Sequence, residues 1–181
     1  QTLVDRLLAP HRKKHIDEDV NIHEVLERVR SLVLAEFPQG LSIKRNYDIS
    51  IPDLLGDKEA LIQAVLNVVH NAAQALRDQI SQGTAEIELN TRVARNVTIS
   101  KQRYKLALDL HVIDNGPGIP EEIRDKIFFP LVSGKEGGSG LGLTLAQTYV
   151  QQHFGYIGCV SKPGCTDFQM QLPFRVKSGE A

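Results

Sequence analysis

The chain has 181 residues, 41% of them hydrophobic, which is enough for one folded domain whose core needs neither disulfides nor a metal. Its formal net charge is −1 and its basic residues are not concentrated in one block, so the composition argues against direct nucleic-acid binding. No apolar run approaches the ~18 residues that a membrane span requires, so we expect no direct membrane contact.

The first sixteen residues are predicted to be the end of a helix and a connector. Apolar residues repeat at helical spacing before Pro10 ends the pattern: Leu3, Val4, Leu7 and Leu8. The stretch from His11 to Asp19 is first basic and then acidic, which is typical of a solvated connector. Because the chain starts without methionine inside a helical pattern, we expect it to be a piece of a longer protein.

The first half of the folded region is predicted to contain two helices and two strands. In chain order they are a short strand at 20–22, a helix from His23 to Ala35, a strand from Leu41 to Tyr47 and a long helix from Lys58 to about Gln79. Asp57 is the predicted N-cap of the long helix, and a loop is predicted at 51–53.

The second half is predicted to be richer in strands. The elements are strands at 85–92 and 106–113, a helix start at Pro120, a helix from Leu141 to His153 that Gly155 closes, and a hairpin of strands 156–161 and 166–172. The mixed order and the hairpins predict an α+β fold, a two-layer sandwich with helices on one face of a mixed, mainly antiparallel sheet. The two cysteines, Cys159 and Cys165, have no histidine cluster beside them, so we expect reduced thiols in a cytoplasmic protein.

The long helix carries the first candidate chemistry. Most of its circumference is apolar, and one polar stripe is rich in amides: Gln63, Asn67, His70, Asn71, Gln74 and Asp78. Asparagine costs up to ~0.7 kcal/mol relative to alanine inside a helix, so an ordinary solvated face would use other residues. An asparagine oxygen is a hard, neutral ligand that suits Mg²⁺ bound to phosphates. The alternative is an ordinary surface stripe that contains asparagine without binding a ligand.

The second candidate is the turn that follows the strand 106–113. A carboxylate at a strand end, here Asp114, can accept a hydrogen bond from an exocyclic amine. Gly116 and Gly118 would let a flat ring approach the main chain closely. The alternative is a tight bend with no ligand, because Asp-Asn-Gly is also ordinary turn chemistry.

The third candidate is the glycine-rich loop 133–140, which leads directly into a helix. Free backbone amides and the dipole at that helix start favour a phosphate. A P-loop is excluded because Lys135 is followed by Glu136, and a dinucleotide fingerprint is excluded because Leu143 stands where glycine is needed. A flexible linker between two helices remains the alternative.

Taken in order, these motifs resemble the ATP-binding domain of sensor histidine kinases. Residues 67–72 resemble its N box, 114–118 its G1 box, 128–130 its F box and 138–143 its G2 box, and 163–168 is similar to its Gly-x-Thr-x-Phe segment. The resemblance covers roughly residues 20 to 175 and is strongest to the nitrogen-regulation branch of the family. It implies a Bergerat-type (GHKL) fold with ATP and Mg²⁺ bound.

The resemblance also implies roles for individual residues. Asn71 would bind Mg²⁺, Asp114 would bind the adenine amine, and Thr166 would reach the adenine indirectly. Three residues of the G1 turn would shape the pocket: Gly116, Gly118 and Ile119. The G2 segment would meet the phosphates: Gly138, Ser139, Gly140, Leu141, Gly142 and Leu143. We add Lys135 as a cation for the outer phosphates, with a solvated loop lysine as the alternative.

Asn67 bears on the type of reaction. Hydrolytic relatives such as gyrase and MutL carry a glutamate four residues before the metal asparagine to activate water. This chain has an amide there, which cannot take a proton at neutral pH. We therefore expect Asn67, Asn71 and Lys135 to serve phosphoryl transfer to a separate acceptor, with slow hydrolysis.

No histidine of this chain lies in the context expected for the phosphoacceptor; His23 is the nearest imitation. We therefore expect residues 1–16 to end a dimerisation and phosphoacceptor domain, 17–176 to be the catalytic domain and 177–181 a tail. The resemblance implies three partners: the protein's own histidine domain, a response regulator of the NtrC type and a PII-type signalling protein. We expect a homodimer for the whole protein and a monomer for this chain. A nucleotide-gated interaction module and a GHKL-type ATPase are the alternatives.

Overall fold

The computed structural model describes residues 18–129 and 142–176. The predicted N-terminal helix and the C-terminal tail lie outside these ranges. In chain order the described elements are β1 (Glu18–Val20), α1 (Ile22–Glu36), β2 (Leu41–Asn46), β3 (Leu54–Gly56), α2 (Lys58–Ala75), α3 (Arg77–Gln82), β4 (Ala85–Ile99), β5 (Gln102–Asp114), α4 (Glu121–Arg124), α5 (Gly142–Gln152), β6 (Tyr156–Lys162) and β7 (Cys165–Pro173).

The larger of the two described sheets has five strands in the order β2-β4-β5-β7-β6. Its strands pair antiparallel except for β2 and β4, which run parallel. A separate pair joins β1 to β3, antiparallel. The predicted mixed, mainly antiparallel sheet is therefore confirmed.

The helices cover one face of the large sheet. Along β5, for example, buried and half-exposed side chains alternate. Leu108, Leu110 and Val112 are fully buried toward the helices, whereas Asp109 and His111 lie on the opposite, half-exposed face. The inward side chains join the buried faces of α1, α2 and α5 in one continuous core. The predicted two-layer α+β sandwich is confirmed. Within the described ranges, the helices lack the combination of length and apolar character needed to cross a membrane.

Two boundaries in the first half differ from the prediction. The first strand ends at Val20, because Asn21 caps α1 through its side-chain oxygen, which accepts the His23 N–H at 2.9 Å. The Asp57 N-cap is confirmed, since its carboxylate accepts the Ala60 N–H at 3.2 Å. The predicted long helix, however, breaks at Leu76 and resumes as the short α3.

Two further features were not predicted. The segment after the loop 51–53 forms β3, a strand of three residues, which pairs with β1. The helix α5 ends with Phe154 in the left-handed conformation (φ 62°), and the expected terminator Gly155 serves another purpose. A Cβ at Gly155 would lie 2.4 Å from the Gln171 carbonyl oxygen, so glycine is needed there for close strand packing.

The hairpin of β4 and β5 is longer than the two predicted strands. Its register runs from Ile87–Asp114 to Ile99–Gln102, well past the points where β2 and β7 end their pairing. This projecting ribbon contains basic and no acidic residues between positions 91 and 106: Arg92, Arg95, Lys101, Arg103 and Lys105. The basic residues are therefore more concentrated, in this ribbon, than the sequence analysis predicted.

Helices α2 and α5 pack antiparallel, and a buried histidine joins them at one end. His153 is 1% exposed; its Nε2 accepts the Asp57 N–H at 2.9 Å, and its Nδ1–H donates to the Tyr149 carbonyl at 2.7 Å. The ring lies so close to Gly56 that a Cβ there would come within 2.8 Å of it. Burial lowers the pKa of His153 and keeps the ring neutral.

We predict that the free energy of unfolding will fall less steeply with decreasing pH in His153→Gln than in the wild type. The neutral ring stabilises the fold fully above the unfolded pKa of about 6.5, and this contribution is lost as pH falls toward the lowered folded pKa. The wild type should therefore lose up to about 1.4 kcal/mol per pH unit more than the variant in that window. Urea unfolding between pH 7 and 5 measures both slopes, and equal slopes would contradict the assignment.

Candidate functional site

The site is centred on Asp114, the last residue of β5. Its side chain is 4% exposed, and Oδ1 accepts the Gly116 N–H at 2.9 Å, which orients the carboxylate at the mouth of the following turn. Thr166, also 4% exposed, lies directly opposite Asp114 on β7. Two of the residues predicted to contact adenine are thus paired at one end of two neighbouring strands in the middle of the sheet.

Asn115 fixes this turn to the start of β4. Its side-chain oxygen accepts the Glu86 N–H at 2.9 Å and its side-chain amide donates to the Thr84 carbonyl at 2.9 Å. Its backbone N–H donates to the Glu86 carbonyl, and its carbonyl accepts from the Gln79 side chain at 3.0 Å. The polar groups of Asn115 therefore hold the turn in place through hydrogen bonds within the fold.

The hairpin turn between β6 and β7 holds the other side of the G1 turn. Ser161 accepts the Ile119 N–H at 2.8 Å and shares a hydrogen with the Thr166 hydroxyl at 2.7 Å. The Gly116 carbonyl accepts the Gly164 N–H at 2.9 Å. The backbone around Ile119 is thereby fixed relative to Thr166, and Ser161 is a site residue that the sequence did not reveal.

The end of α2 lies beside the G1 turn. A Cβ at Gly116 would lie 3.1 Å from the Leu76 side chain and 3.8 Å from the Ala75 carbonyl oxygen. Asn71 lies one helical turn before Ala75, about 6 Å along the helix axis. Asn71 therefore lies about one helical turn from the part of α2 that packs against the G1 turn.

The opposite end of the polar stripe meets the start of α5. The Asn67 side-chain amide donates to the Gly142 carbonyl at 3.0 Å, and the Asn67 oxygen accepts from Gln63 at 2.7 Å. A Cβ at Gly142 would only touch the Asn67 Cβ at 4.0 Å, so the described packing does not require glycine there. Asn67 joins the stripe to the glycine-rich segment, a role that the sequence did not predict.

The rest of the G2 segment and the lysine of the glycine-rich loop lie outside the described residues: Lys135, Gly138, Ser139, Gly140 and Leu141. The described residues on either side of these positions are held by contacts within the fold. Phe128 packs edge-to-face on Phe168 with ring centroids 6.3 Å apart, and its carbonyl accepts from the Thr144 hydroxyl at 2.7 Å. Leu143 is half-buried against the core.

The side chains of this site suit a metal ion that takes most of its ligands from water and from a bound phosphate compound. Within residues 18–129 and 142–176, no group of three or more His, Cys, Asp or Glu side chains could hold an ion. Mg²⁺ commonly keeps waters and substrate phosphates and takes only one or two protein oxygens. The half-buried amide of Asn71 fits that minor share.

Cys159 lies two rows deeper in the sheet than Asp114, paired with Phe168 on β7. Burial, with the nearby Asp114 carboxylate, raises the pKa of its thiol to about 12. The thiol is therefore protonated and unreactive at neutral pH. Cys159 and Cys165 are both free, as expected from the composition.

Comparison with known families and proteins agrees with this geometry. Residues 56–176 match the family described as histidine kinase-, DNA gyrase B-, and HSP90-like ATPase. The sensory histidine kinase/phosphatase NtrB of Salmonella typhimurium is 47% identical over 176 residues, which is 97% of this chain and 49% of that protein. NtrB of Rhodobacter capsulatus is 40% identical over 161 residues, or 87% of this chain and 44% of that protein. The chain thus spans about half the length of these relatives.

Solved structures show the same fold. The mycobacterial sensor histidine kinase MprB superposes with a TM-score of 0.69 at 25% identity, covering 87% of this chain and 99% of that one. The catalytic domain of the histidine kinase ThkA gives 0.70 at 22% identity, covering 87% and 95%. Full-length ShkA in complex with AMPPNP gives 0.70 at 23% identity, covering 88% of this chain and 31% of that one.

We predict that Gly118→Ala will destabilise the chain more than Gly164→Ala. Both glycines have φ near 90°, so both alanines cost roughly 1 kcal/mol of backbone strain. Only at position 118 would the new Cβ meet another group, the Lys162 carbonyl oxygen at 2.8 Å, whereas nothing lies within 4 Å at position 164. Overpacking should add roughly 1–3 kcal/mol. Urea unfolding of both variants measures the difference; equal losses would show that the two turns are not in contact.

Proposed function

Because the chain belongs to the family of histidine kinase-, DNA gyrase B- and HSP90-like ATPases, we propose that it is the catalytic domain of a two-component sensor histidine kinase. In this proposal it binds Mg-ATP and transfers the γ-phosphoryl group to a histidine outside the chain, in nitrogen-regulation signalling. One observation carries the proposal: the turn that orients the buried Asp114 carboxylate packs against the end of α2, and the amide-rich polar stripe of α2, hereafter the amide stripe, reaches the start of α5.

The base end of the site is suited to adenine. Asp114 would accept a hydrogen bond from the exocyclic amine, and Thr166 would reach the ring indirectly, with Ser161 orienting its hydroxyl. Gly116 packs closely against Leu76, and its backbone, which carries no side chain, would form a flat wall for the adenine ring. Gly118 and Ile119 complete that wall through their fixed backbone.

The phosphate end would be formed by the amide stripe and the G2 segment. Asn71 would give its side-chain oxygen to Mg²⁺, which neutralises phosphate charge when bound. Gly142 and Leu143 begin α5, whose N-terminal dipole favours anions. Lys135 and the residues 138–141 are proposed for the outer phosphates on the resemblance of their sequence alone.

Transfer to another acceptor is favoured over hydrolysis. The Asn67 amide donates to the Gly142 carbonyl, and an amide cannot act as a general base at neutral pH. With no base at this position to activate water, the domain would hold ATP for a nucleophile that a partner presents.

The four described histidines are poor candidates for the acceptor, since each already has a partner within the fold; His70 bonds the Glu36 carboxylate. His23 stacks on Tyr47 with centroids 4.6 Å apart and bonds the buried Thr91 hydroxyl at 2.9 Å; burial lowers its pKa. His111 bonds the Asp167 carboxylate at 2.8 Å, and His153 is buried. The acceptor is therefore proposed to lie outside this chain.

The named relatives suggest the partners. Proteins called NtrB are named as sensory histidine kinase/phosphatases, and this chain matches about half of their length. We propose that the whole protein contains its own dimerisation and histidine domain, acts on a response regulator of the NtrC type and responds to a PII-type protein. A homodimeric whole protein, a monomeric form of this chain and a cytoplasmic location stay predictions.

The deciding experiment mixes the purified 181-residue chain, labelled ATP and a separately made helical-hairpin dimer that bears the acceptor histidine. Label on the hairpin is the expected result. Free phosphate would favour an ATPase, and nucleotide binding without either product would favour a nucleotide-gated interaction module. Either of these two outcomes contradicts the kinase proposal.

We predict that Asn71→Asp will lower the rate of transfer by roughly tenfold or more, equivalent to about 1.4 kcal/mol, because a carboxylate repels the phosphates. Gly140→Ala should also weaken binding or transfer. Circular dichroism should be unchanged in both variants. Asn46→Asp is the matched control, because it makes the same change beside Arg92 at the exposed end of β2. A collapsed spectrum in Asn71→Asp would make that residue structural instead.

A further inference from the structure

Three groups form a directed chain of hydrogen bonds between α2 and α5. The Gln63 side-chain nitrogen donates to the Asn67 oxygen at 2.7 Å, and the Asn67 side-chain nitrogen donates to the Gly142 carbonyl at 3.0 Å. Gln63 and Asn67 are one helical turn apart on the same half-buried stripe. The chain of bonds ends on the first residue of α5.

The direction of this chain is determined by its last member. A backbone carbonyl can only accept, so Asn67 must present its NH₂ group to Gly142. The Asn67 oxygen then faces Gln63, which must present an NH₂ group in turn. A glutamate or aspartate at position 67 would place two acceptors against each other, and an apolar residue at position 63 would leave the Asn67 oxygen without this donor.

From this geometry we infer that Gln63 is a positioning residue for the nucleotide site, acting through Asn67. Gln63 holds the Asn67 amide in the one orientation that bonds Gly142, and Asn67 in turn sets where the first turn of α5 lies over the amide stripe. The inference rests on the proposed binding of nucleotide between that stripe and the start of α5. It assigns to Gln63 no contact with the nucleotide itself.

The first test is a double-mutant cycle on the affinity for Mg²⁺ with AMPPNP, measured by calorimetry. Gln63→Met keeps the length of the side chain and removes the donor, and should weaken binding about fivefold, the order of one lost hydrogen bond. Asn67→Ala should weaken binding at least as much. In the Asn67→Ala background, Gln63→Met should have no further effect, because its only route to the site is gone.

Gln151→Met is the matched control, since it makes the same substitution at an exposed position near the end of α5, outside both the stripe and the bond chain. It should leave the affinity unchanged. Thermal unfolding of every variant separates a loss of folded protein from a loss of affinity in folded protein. A full fivefold effect of Gln63→Met in the Asn67→Ala background, or no effect in the wild type, would overturn the inference.

A second readout does not depend on nucleotide. In NMR spectra the Asn67 side-chain NH₂ protons should exchange slowly with water in the wild type and at least severalfold faster in Gln63→Met. Unprotected Asn67 protons in the wild type would overturn the inference even if nucleotide binds. Failure of the wild type to bind Mg²⁺ with AMPPNP would instead overturn the proposed function, with the protection of Asn67 still testing the bond chain.

Discussion

The antiparallel contact between α2 and α5 is the constraint on which the site depends. One end is fixed by the hydrogen bond from Asn67 to Gly142 and the other by the bond from the Asp57 N–H to His153. These two points lie about 15 Å apart along α2, so neither helix can slide past the other without losing a bond from a half-buried or buried group. The amide stripe, including Asn71, therefore keeps a set distance from the start of α5.

The sheet supplies the second half of the frame. The turn after Asp114 is bonded to β4 through Asn115 and to the β6–β7 turn through Ser161, so its carboxylate points in a set direction before any ligand arrives. Leu76 packs against this turn and couples it to the end of α2. A preformed arrangement of this kind would lose little conformational entropy on binding, which suits the proposed role of holding a nucleotide for another reactant.

Local sequence patterns were sufficient for the layers of the fold and for the motifs, but not for contacts made across long stretches of chain. Hydrophobic periodicity and the Asp57 cap predicted α2, alternation predicted β5, and the hairpin signal predicted β7. The break at Leu76 was missed because it follows from packing against a turn forty residues away, and β3 was missed because three residues carry no periodicity. Phe154 takes the left-handed position because Gly155 is needed against Gln171, a tertiary demand that overrides the usual preference. The roles of Gln63 and Ser161 depend in the same way on distant partners.

In the proposed complex, one nucleotide lies along α2, with its base at the end of β5 and its phosphates toward α5. A crystal structure of this chain with Mg²⁺ and AMPPNP tests it most directly. We expect the adenine amine about 3 Å from the Asp114 carboxylate and, at the phosphates of the same nucleotide, a metal ion bound by the Asn71 oxygen. A nucleotide that contacts only one of these two residues, or a metal held away from Asn71, would contradict it.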